Sequence, residues 1–202
     1  MAAAGKSERM QGDNKLLLPL FGRAIVARVV EAVLEAGLQR VLVVTGHEPG
    51  RVRQLLARYP VEFAHNREFA RGLSSTLEVG VGELAGEADG VLVCLGDMPL
   101  VKAADIRALV DRFEKEGGAS ICVPAWRGQR GHPVLWPSRY FPALGALAGD
   151  RGGRDLLEEF ASEISWLEAS DEGVLIDVDT PGVLASLQQA SAREDPGPGP
   201  LD

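Results

Sequence analysis

The spacing of apolar residues along the 202-residue chain most strongly limits its possible folds. Short runs of Val, Leu and Ile without polar alternation are typical of strands buried on both faces of a parallel sheet. We predict such strands at residues 40–45, 61–65, 90–95, 120–124 and 133–136. Amphipathic helical stretches at 24–36 and 103–116 each end at a glycine. This alternation of strands and helices predicts an α/β protein with a mostly parallel sheet.

The pattern is less regular after Trp126. We predict helices at 137–147 and up to residue 160, strands at 164–168 and 174–178, and a last helix from residue 182. Residues 191–202 are rich in Pro and Gly and are predicted to form a disordered tail.

The distribution of charge limits the possible partners. The net charge is -8, which argues against a broad nucleic-acid-binding surface. Residues 1–154 carry 20 basic and 17 acidic side chains, however, whereas residues 155–202 carry one basic and 12 acidic ones. A small basic pocket for an anionic ligand therefore remains compatible with the composition.

No segment indicates a membrane or secretory destination. No apolar run approaches the ~20 residues of a membrane span, and the first residues lack the apolar core of a signal peptide. Cys94 and Cys122 lie inside apolar runs and are expected to be buried, small hydrophobic residues. We expect a cytoplasmic protein in a reducing compartment, with no membrane partner.

The N-terminal segment combines small residues with positive charge. Backbone N–H groups in such a loop can cradle phosphate oxygens. The spacing matches neither a Walker A loop nor a G-x-G-x-x-G dinucleotide motif, and a flexible terminus is the alternative. The candidate residues are Ala3, Ala4, Gly5, Ser7, Arg9 and Lys15.

Carboxylates follow two of the predicted strands. Asp97 comes directly after the apolar run at 90–95, where ligands bind in open α/β sheets. A carboxylate there can hold Mg²⁺ together with phosphate oxygens and water, or it can stabilise a turn. Asp177 and Asp179 alternate along an extended segment and so point to the same side of it. The following Thr180 and Pro181 are explained by a helix start, but the two acids are not.

Three further polar groups allow two interpretations each. His132 lies in the loop RGQRGH and is either a strand-edge histidine or a ligand contact. Arg154 either caps its own helix or binds an anionic ligand together with His132. The hydroxyl residues after Gly72, including Ser75, either cap a helix or bind a base or ribose.

Taken in order and spacing, these motifs resemble the molybdenum cofactor cytidylyltransferase family. The matching segments are A-A-G-x-S-x-R-M with a following Lys, GDMP, RGHPVL, GD-x-G-x-R and D-x-D-T-P. The resemblance covers roughly residues 1–190. It implies a three-layer α/β/α, Rossmann-like fold of the nucleotide-diphospho-sugar transferase type, with residues of about 126–180 binding the acceptor.

The resemblance also implies roles for individual residues. Arg9, Lys15 and Asp97 would be catalytic, and Asp97 and Asp179 would bind Mg²⁺. His132, Asp150 and Arg154 would contact the acceptor. The nucleotide would be bound by Ala3, Ala4, Gly5, Ser7, Arg9, Lys15, Gly72, Ser75 and Asp97.

One feature departs from the family pattern. Members have a full apolar strand before A-A-G, whereas this chain starts at Met1-Ala2, so we expect a truncated first strand. In a chain without that strand, unpaired backbone groups in a buried sheet would lower stability.

The implied reaction transfers CMP from CTP to the phosphate of a molybdopterin-type cofactor, with release of pyrophosphate. The product could pass transiently to a molybdenum hydroxylase or its chaperone. Two alternatives stay open: a related nucleotidyltransferase that uses GTP or a sugar phosphate, and a non-catalytic chaperone of the molybdenum cofactor. The chaperone would not need Arg9, Lys15 and Asp97 together. A relative with oxidoreductase activity has no nicotinamide or flavin motif to support it.

Overall fold

The structure is a computed structural model that describes residues 1–7, 10, 13–148 and 153–194. The strands are β1 (Ala2–Ala3), β2 (Pro19–Leu20), β3 (Arg23–Ala24), β4 (Leu42–Thr45), β5 (Glu62–His65), β6 (Gly90–Val93), β7 (Ile121–Trp126), β8 (Gln129–Arg130), β9 (Val134–Pro137) and β10 (Ile164–Glu168). The α-helices are α1 (Ile25–Glu35), α2 (Pro49–Leu56), α3 (Leu73–Leu84), α4 (Ala103–Lys115), α5 (Phe141–Gly145), α6 (Arg154–Glu159) and α7 (Pro181–Glu194).

The main sheet has the strand order β5-β4-β1-β6-β9-β7-β10, with β1 joined to the β6 side by a parallel bridge between Ala2 and Leu95. All of these strands are parallel except β9, which pairs antiparallel with both β6 and β7. Outside this order, β8 pairs with the end of β7, and β2 with β3 forms a separate hairpin. The fold is therefore the mostly parallel α/β sheet that the sequence predicts.

Helices cover both faces of the sheet. In β4, Val43 packs toward α1 and α2, whereas Leu42 and Val44 pack toward α3. In β7, Cys122 packs toward α4 and its neighbours Ile121 and Val123 pack toward α3, α5 and α6. Successive side chains point to opposite faces of a strand, so strands with helices on both sides need continuous apolar runs. The three-layer architecture is confirmed.

The first strand is short, as predicted. Met1 lies between β4 and β6, where its amino group donates to the Leu42 carbonyl over 2.6 Å. Burial lowers the pKa of this amino group. Towards the start of β4 and β6, a cavity of about 720 Å³ lies between the two strands and under α3.

Two predictions about local structure are wrong in detail. Residues 174–178 do not form a strand: the segment Glu172–Leu175 is a 3-10 turn, and residues 176–179 are irregular. A turn forms here because the Asp171 carboxylate accepts the Gly173 N–H over 2.8 Å. The last helix reaches Glu194, four residues into the predicted tail, because the helix-breaking prolines begin only at residue 196. The remainder of the predicted tail, residues 195–202, lies outside the described residues.

Helix α2 is not indicated by the apolar pattern, because only Val52 and Leu56 of its eight residues are buried. Cys94 and Cys122 are buried free thiols, as predicted. Within the described ranges, no helix is long and apolar enough to cross a membrane.

Candidate active site

The site forms where the N-terminal loop crosses the carboxyl end of β6. The Ala2 carbonyl accepts the Gly96 N–H over 2.9 Å, which holds the loop against the residue before Asp97. A Cβ at Gly96 would lie 3.0 Å from that carbonyl oxygen, so the absence of a side chain leaves room for this close approach. Glycine at position 96 therefore brings Asp97 beside the start of the chain.

The N-terminal loop is buried at its start and exposed at Gly5 and Lys6. Ala3 and Ala4 are buried, and the Ala4 carbonyl accepts the His47 N–H over 3.2 Å. Gly5 has open space where a Cβ would be, and Ser7 has a φ of 57°. A left-handed residue within a glycine-containing loop is compatible with the predicted phosphate cradle. Arg9, which was assigned to the same loop, lies outside the described residues.

Lys15 is the buried cation of the site. It starts a 3-10 turn over Lys15–Leu17, where the Asn14 side chain accepts the Leu16 N–H over 3.2 Å. The Lys15 backbone N–H donates to the Ser7 hydroxyl over 3.1 Å, which ties the turn to the loop. Only 11% of the Lys15 side chain is exposed. Its ammonium group is thus held in one place by the fold.

The Lys15 ammonium bridges two carboxylates from distant parts of the chain. Its Nζ lies 2.6 Å from Asp97 Oδ2 and also donates to Asp179 Oδ1. Burial by itself would lower the pKa of Lys15, but the combined attraction of the two carboxylates outweighs burial and raises it. A backbone hydrogen bond joins the same two segments, because the Val178 N–H donates to the Asp97 carbonyl over 2.8 Å.

Asp177 is a third acid at this junction, and no role was predicted for it. Burial raises the pKa of Asp177, and the negative charges of Asp179 and Asp97 raise it further. Burial and like-charge repulsion thus both favour the protonated form of Asp177.

The carboxylates fit a divalent cation. Asp97 Oδ1 is buried, and no hydrogen-bond partner occupies it in the part of the chain that the structure describes. Carboxylate oxygens are preferred ligands of Mg²⁺, which also keeps water and phosphate oxygens in its shell. Among the described residues no three His, Cys, Asp or Glu side chains form a complete metal cage. The arrangement therefore fits an ion that takes some of its ligands from the protein and the others from a bound phosphate.

His132 is anchored through its backbone to the segment that leads to Asp177. Its N–H donates to the Val174 carbonyl over 2.9 Å, and its peptide bond to Pro133 is cis. Burial first, and then the neighbouring Arg130, lowers the pKa of His132 to about 4, although Asp97 acts in the opposite direction. The imidazole is therefore neutral at physiological pH. Its Nδ1 is buried with no hydrogen-bond partner within the described part of the chain.

Gly72 and Ser75 lie in a segment next to the N-terminal loop. Gly72, with a φ of 93°, is the N-cap of α3, and no side chain caps this helix. The Ser75 hydroxyl is buried, accepts from the Asn66 amide over 2.9 Å and bonds back to the Gly72 carbonyl. Ser75 therefore holds the segment in shape and does not cap the helix.

Phe69 connects this segment to the loop. A Cβ at Gly46 would lie 2.5 Å from Phe69 Cβ and 2.7 Å from the Ala4 carbonyl oxygen, so three segments converge there. The Lys6 ammonium lies 5.9 Å from the centre of the Phe69 ring, and the His47 ring centre is 6.1 Å from it. Nothing in the sequence spacing indicates this cluster.

The acceptor side is only partly described. Arg154 begins α6, and its Nε lies 4.0 Å from Glu158 of the same helix. Asp150, which was assigned to the acceptor, lies outside the described residues. The positive charge of Arg130 contributes to the lowered pKa of His132, and its place in the loop RGQRGH could have suggested this effect.

Comparisons with known proteins identify the type of domain. A family model described as a MobA-like NTP transferase domain matches residues 2–167. The purine catabolism protein PucB of Bacillus subtilis is 34% identical over 189 residues, which are 89% of this chain and 89% of that protein.

Solved structures agree with this match. A nucleotidyl transferase from Methanothermobacter superposes with a TM-score of 0.81 and 27% identity, over 96% of each chain. Rv0371c of Mycobacterium tuberculosis, solved in a complex with manganese, has a TM-score of 0.78 and 25% identity, over 94% of this chain and 96% of that one.

Proposed function

The chain belongs to the family of MobA-like NTP transferase domains, and from that premise we propose that it transfers CMP from CTP to the phosphate of a molybdopterin-type cofactor. The protein is a nucleotidyltransferase. We propose CTP as the nucleotide, the pterin as the acceptor and Mg²⁺ as the metal ion. The product would then pass transiently to a molybdenum hydroxylase or its chaperone.

The observation that carries the proposal is the position of the Lys15 ammonium between Asp97 and Asp179. A cation between two carboxylates, next to an accessible glycine-containing loop, suits a metal–triphosphate complex. A protein that only stored a finished cofactor would not need this pair of carboxylates.

Asp97 and Asp179 would hold the metal ion, with the unpartnered Asp97 Oδ1 as the first ligand. The manganese complex of Rv0371c supports the use of a divalent ion in this fold. When bound, Mg²⁺ supplies charge neutralisation at the α-phosphate and orients the attack.

Transfer needs little covalent chemistry from the protein. An oxygen of the acceptor phosphate attacks the α-phosphorus of CTP, a P–O bond forms, and the bond from the α-phosphorus to the bridging oxygen of pyrophosphate breaks. Negative charge develops on the leaving pyrophosphate, where Lys15 and Arg9 would stabilise it. The backbone of Ala3, Ala4, Gly5 and Ser7 would bind the phosphate chain, while the Gly72–Ser75 segment would lie near the base and ribose.

Neutral His132 cannot act as an acid at pH 7, and an ionised acceptor phosphate needs no base. His132 would instead hydrogen-bond the acceptor through its unpaired Nδ1, with Arg154 and Asp150 as further contacts.

The substrate assignment is tested by isothermal titration of CTP against GTP with MgCl₂, followed by pyrophosphate release across the four nucleoside triphosphates with a molybdopterin acceptor. We expect CTP to bind and react preferentially. A preference for GTP would reject the cytidylyl assignment and keep the reaction class.

The site assignment is tested by Asp97→Ala, which removes the metal anchor and should abolish turnover. Lys15→Ala should lower kcat about 10²–10³-fold, the scale of one lost electrostatic stabiliser. Asp111→Ala, at an exposed position of α4, is the matched control and should leave the rate unchanged. Near-normal turnover of Asp97→Ala would show that the metal assignment is wrong.

A further inference from the structure

The segment that carries Asp179 contains no strand or α-helix that could fix this carboxylate. We call residues 169–179, between β10 and α7, the crossing segment. It lies against the loop between β6 and α4, where the Val178 N–H donates to the Asp97 carbonyl over 2.8 Å. The position of Asp179 relative to Asp97 therefore depends on the contacts that hold the crossing segment against this loop and against α4.

Asp105 makes a buried side-chain contact with the start of the crossing segment. It is the third residue of α4, and only 7% of its surface is exposed. Its Oδ1 accepts the Ser170 N–H over 2.8 Å, and its Oδ2 accepts the Ser170 hydroxyl over 3.1 Å. Both oxygens of a buried acid that the proposed transfer does not use are thus bonded to the crossing segment.

Two other contacts near the start of the crossing segment hold it less firmly. Lys102 forms an ion pair with Asp171, but their side chains are 54% and 37% exposed, and such exposed pairs contribute little to stability. The Gly173 backbone lies so close to Leu100 that a Cβ would be 2.5 Å from the Leu100 carbonyl oxygen, which is a packing contact. The bonds of Asp105 are therefore the strongest side-chain hold on this part of the crossing segment.

The charge of Asp105 is the reason for this strength. A buried carboxylate is costly unless hydrogen bonds satisfy it, and hydrogen bonds to an ionised acceptor are stronger than those between neutral groups. Moving Ser170 away from α4 would leave the carboxylate without these two bonds. Ser170 is therefore held against α4, and nine residues later the chain reaches Asp179, whose Oδ1 accepts a hydrogen bond from the Lys15 ammonium.

We infer that Asp105 is a positioning residue: through Ser170 it holds the crossing segment so that Asp179 stays beside Lys15 and Asp97. It acts through the crossing segment and contacts neither the nucleotide nor the acceptor. The consequence for the cation rests on the proposed function, because it needs Asp179 as a metal ligand. Since residues that orient metal ligands tune the affinity for the ion, Asp105 would set the affinity of the site for a divalent cation.

Hydrogen exchange tests the position of the crossing segment without any ligand. Exchange of the Val178 amide is followed by NMR in EDTA and compared with exchange of amides in the centre of β7, which report global stability. We expect Asp105→Ala to speed the Val178 exchange about 10-fold relative to β7, because two hydrogen bonds to the segment are lost. Asp105→Asn should restore the wild-type rate, because an amide can accept from the Ser170 N–H and donate to the Ser170 hydroxyl.

Two variants of the same helix are the controls. Asp111→Ala replaces an exposed aspartate of α4, and Val110→Ala removes methyl groups from a half-buried position and lowers stability without touching the crossing segment. Neither should change the exchange of Val178 relative to β7. Faster exchange of the Ser170 amide alone in Asp105→Ala would overturn the inference, because Asp105 would then fix only its own contact.

Manganese affinity tests the link from this position to the site. It is measured by isothermal titration with MnCl₂, without nucleotide. Asp105→Ala should raise the Kd at least about 10-fold, the scale found for lost outer contacts of a metal ligand, and Asp105→Asn should restore it. In an Asp179→Asn background, Asp105→Ala should have no further effect, because the carboxylate that it positions is gone. An equal loss of affinity in both backgrounds would overturn the inference.

The two measurements separate the inference from the proposed function. If wild type binds no manganese, or if no nucleoside triphosphate releases pyrophosphate, the proposed function fails, and the exchange of Val178 still decides whether Asp105 positions the crossing segment. If transfer occurs but Asp105→Ala leaves the Val178 exchange unchanged, the positioning role is wrong and the function stands.

Discussion

Replacing Lys15 by Met tests how the site uses its buried cation. Met keeps an unbranched apolar side chain in the same space but removes the ammonium that bridges Asp97 and Asp179. The two carboxylates then repel each other, and Asp177 adds a third acid to the same junction. We expect the metal-free variant to be less stable than wild type and to bind a divalent cation more tightly.

The expected loss of stability in Lys15→Met follows from the exposed fractions of the three charged side chains. Removing one member of a fully buried ion pair costs about 3–5 kcal/mol, whereas exposed pairs contribute about 0–1 kcal/mol. Here Lys15 is 11% exposed, Asp97 20% and Asp179 36%, which places the site between these limits. We expect a loss of about 2 kcal/mol, or about 4–8 °C in Tm for a domain of this size.

The assay is urea unfolding in EDTA and again in MnCl₂. A ligand at 100 times its Kd stabilises the folded state by about 2.7 kcal/mol, so manganese should restore most of the stability of Lys15→Met. In wild type, the ion must first displace the ammonium, so the gain at the same concentration should be smaller. Lys102→Met removes an exposed lysine paired with Asp171 and should change stability by less than about 1 kcal/mol in either buffer.

Equal stability of Lys15→Met and wild type in EDTA would refute the reasoning, because the carboxylates would then not need the ammonium. A larger stabilisation of wild type than of Lys15→Met by manganese would refute the competition between the two cations.

Three other outcomes are expected. The pKa of His132 is about 4 in the folded protein and 6.5 in the unfolded chain. The free energy of unfolding should therefore be highest above pH 6.5 and fall as the pH drops toward 4, by up to about 3 kcal/mol. Urea unfolding in EDTA measures this pH dependence, which should disappear in His132→Gln. Gly46→Ala should lower the free energy of unfolding by about 1–3 kcal/mol, because the added Cβ would overlap with the N-terminal loop. Gly50→Ala should raise the free energy of unfolding slightly, because position 50 is helical and has open space for a Cβ. Equal effects of the two substitutions would contradict this packing. Asp105→Ala should cost about 1 kcal/mol, because the Ser170 N–H, which donates to the buried Asp105 carboxylate over 2.8 Å, would lose its acceptor; calorimetry showing no loss would contradict this.

The order of helices and strands could be predicted from the sequence because each element carries its own periodicity. Strands β4, β6 and β7 are apolar runs; the structure buries both faces of β4 and β7, whereas residues 90–92 of β6 are half-buried. The prediction failed at residues 174–178, where the apolar run VLI was interpreted as a strand. A local side-chain bond from Asp171 turns the chain there, and apolar periodicity carries no information about such a bond.

The site was predicted in part for the same reason. The position of Asp97 after an apolar strand indicates the ligand-binding edge of the sheet without any tertiary information. Lys15, Asp97 and Asp179 were assigned to one site only through the family resemblance. The contacts of the Lys15 ammonium with Asp97, 82 residues away, and with Asp179, 164 residues away, were not predicted. The cluster of His47 and Phe69 was not indicated at all.

The sequence by itself determined the α/β alternation, the apolar character of the strands and the acidic segment that follows β6, since these depend on neighbours in the chain. Only the tertiary structure decided the antiparallel insertion of β9 and the position of the Lys15 ammonium between two carboxylates. These features depend on the order of strands in the sheet. That order is set by packing between distant segments, which local periodicity does not encode.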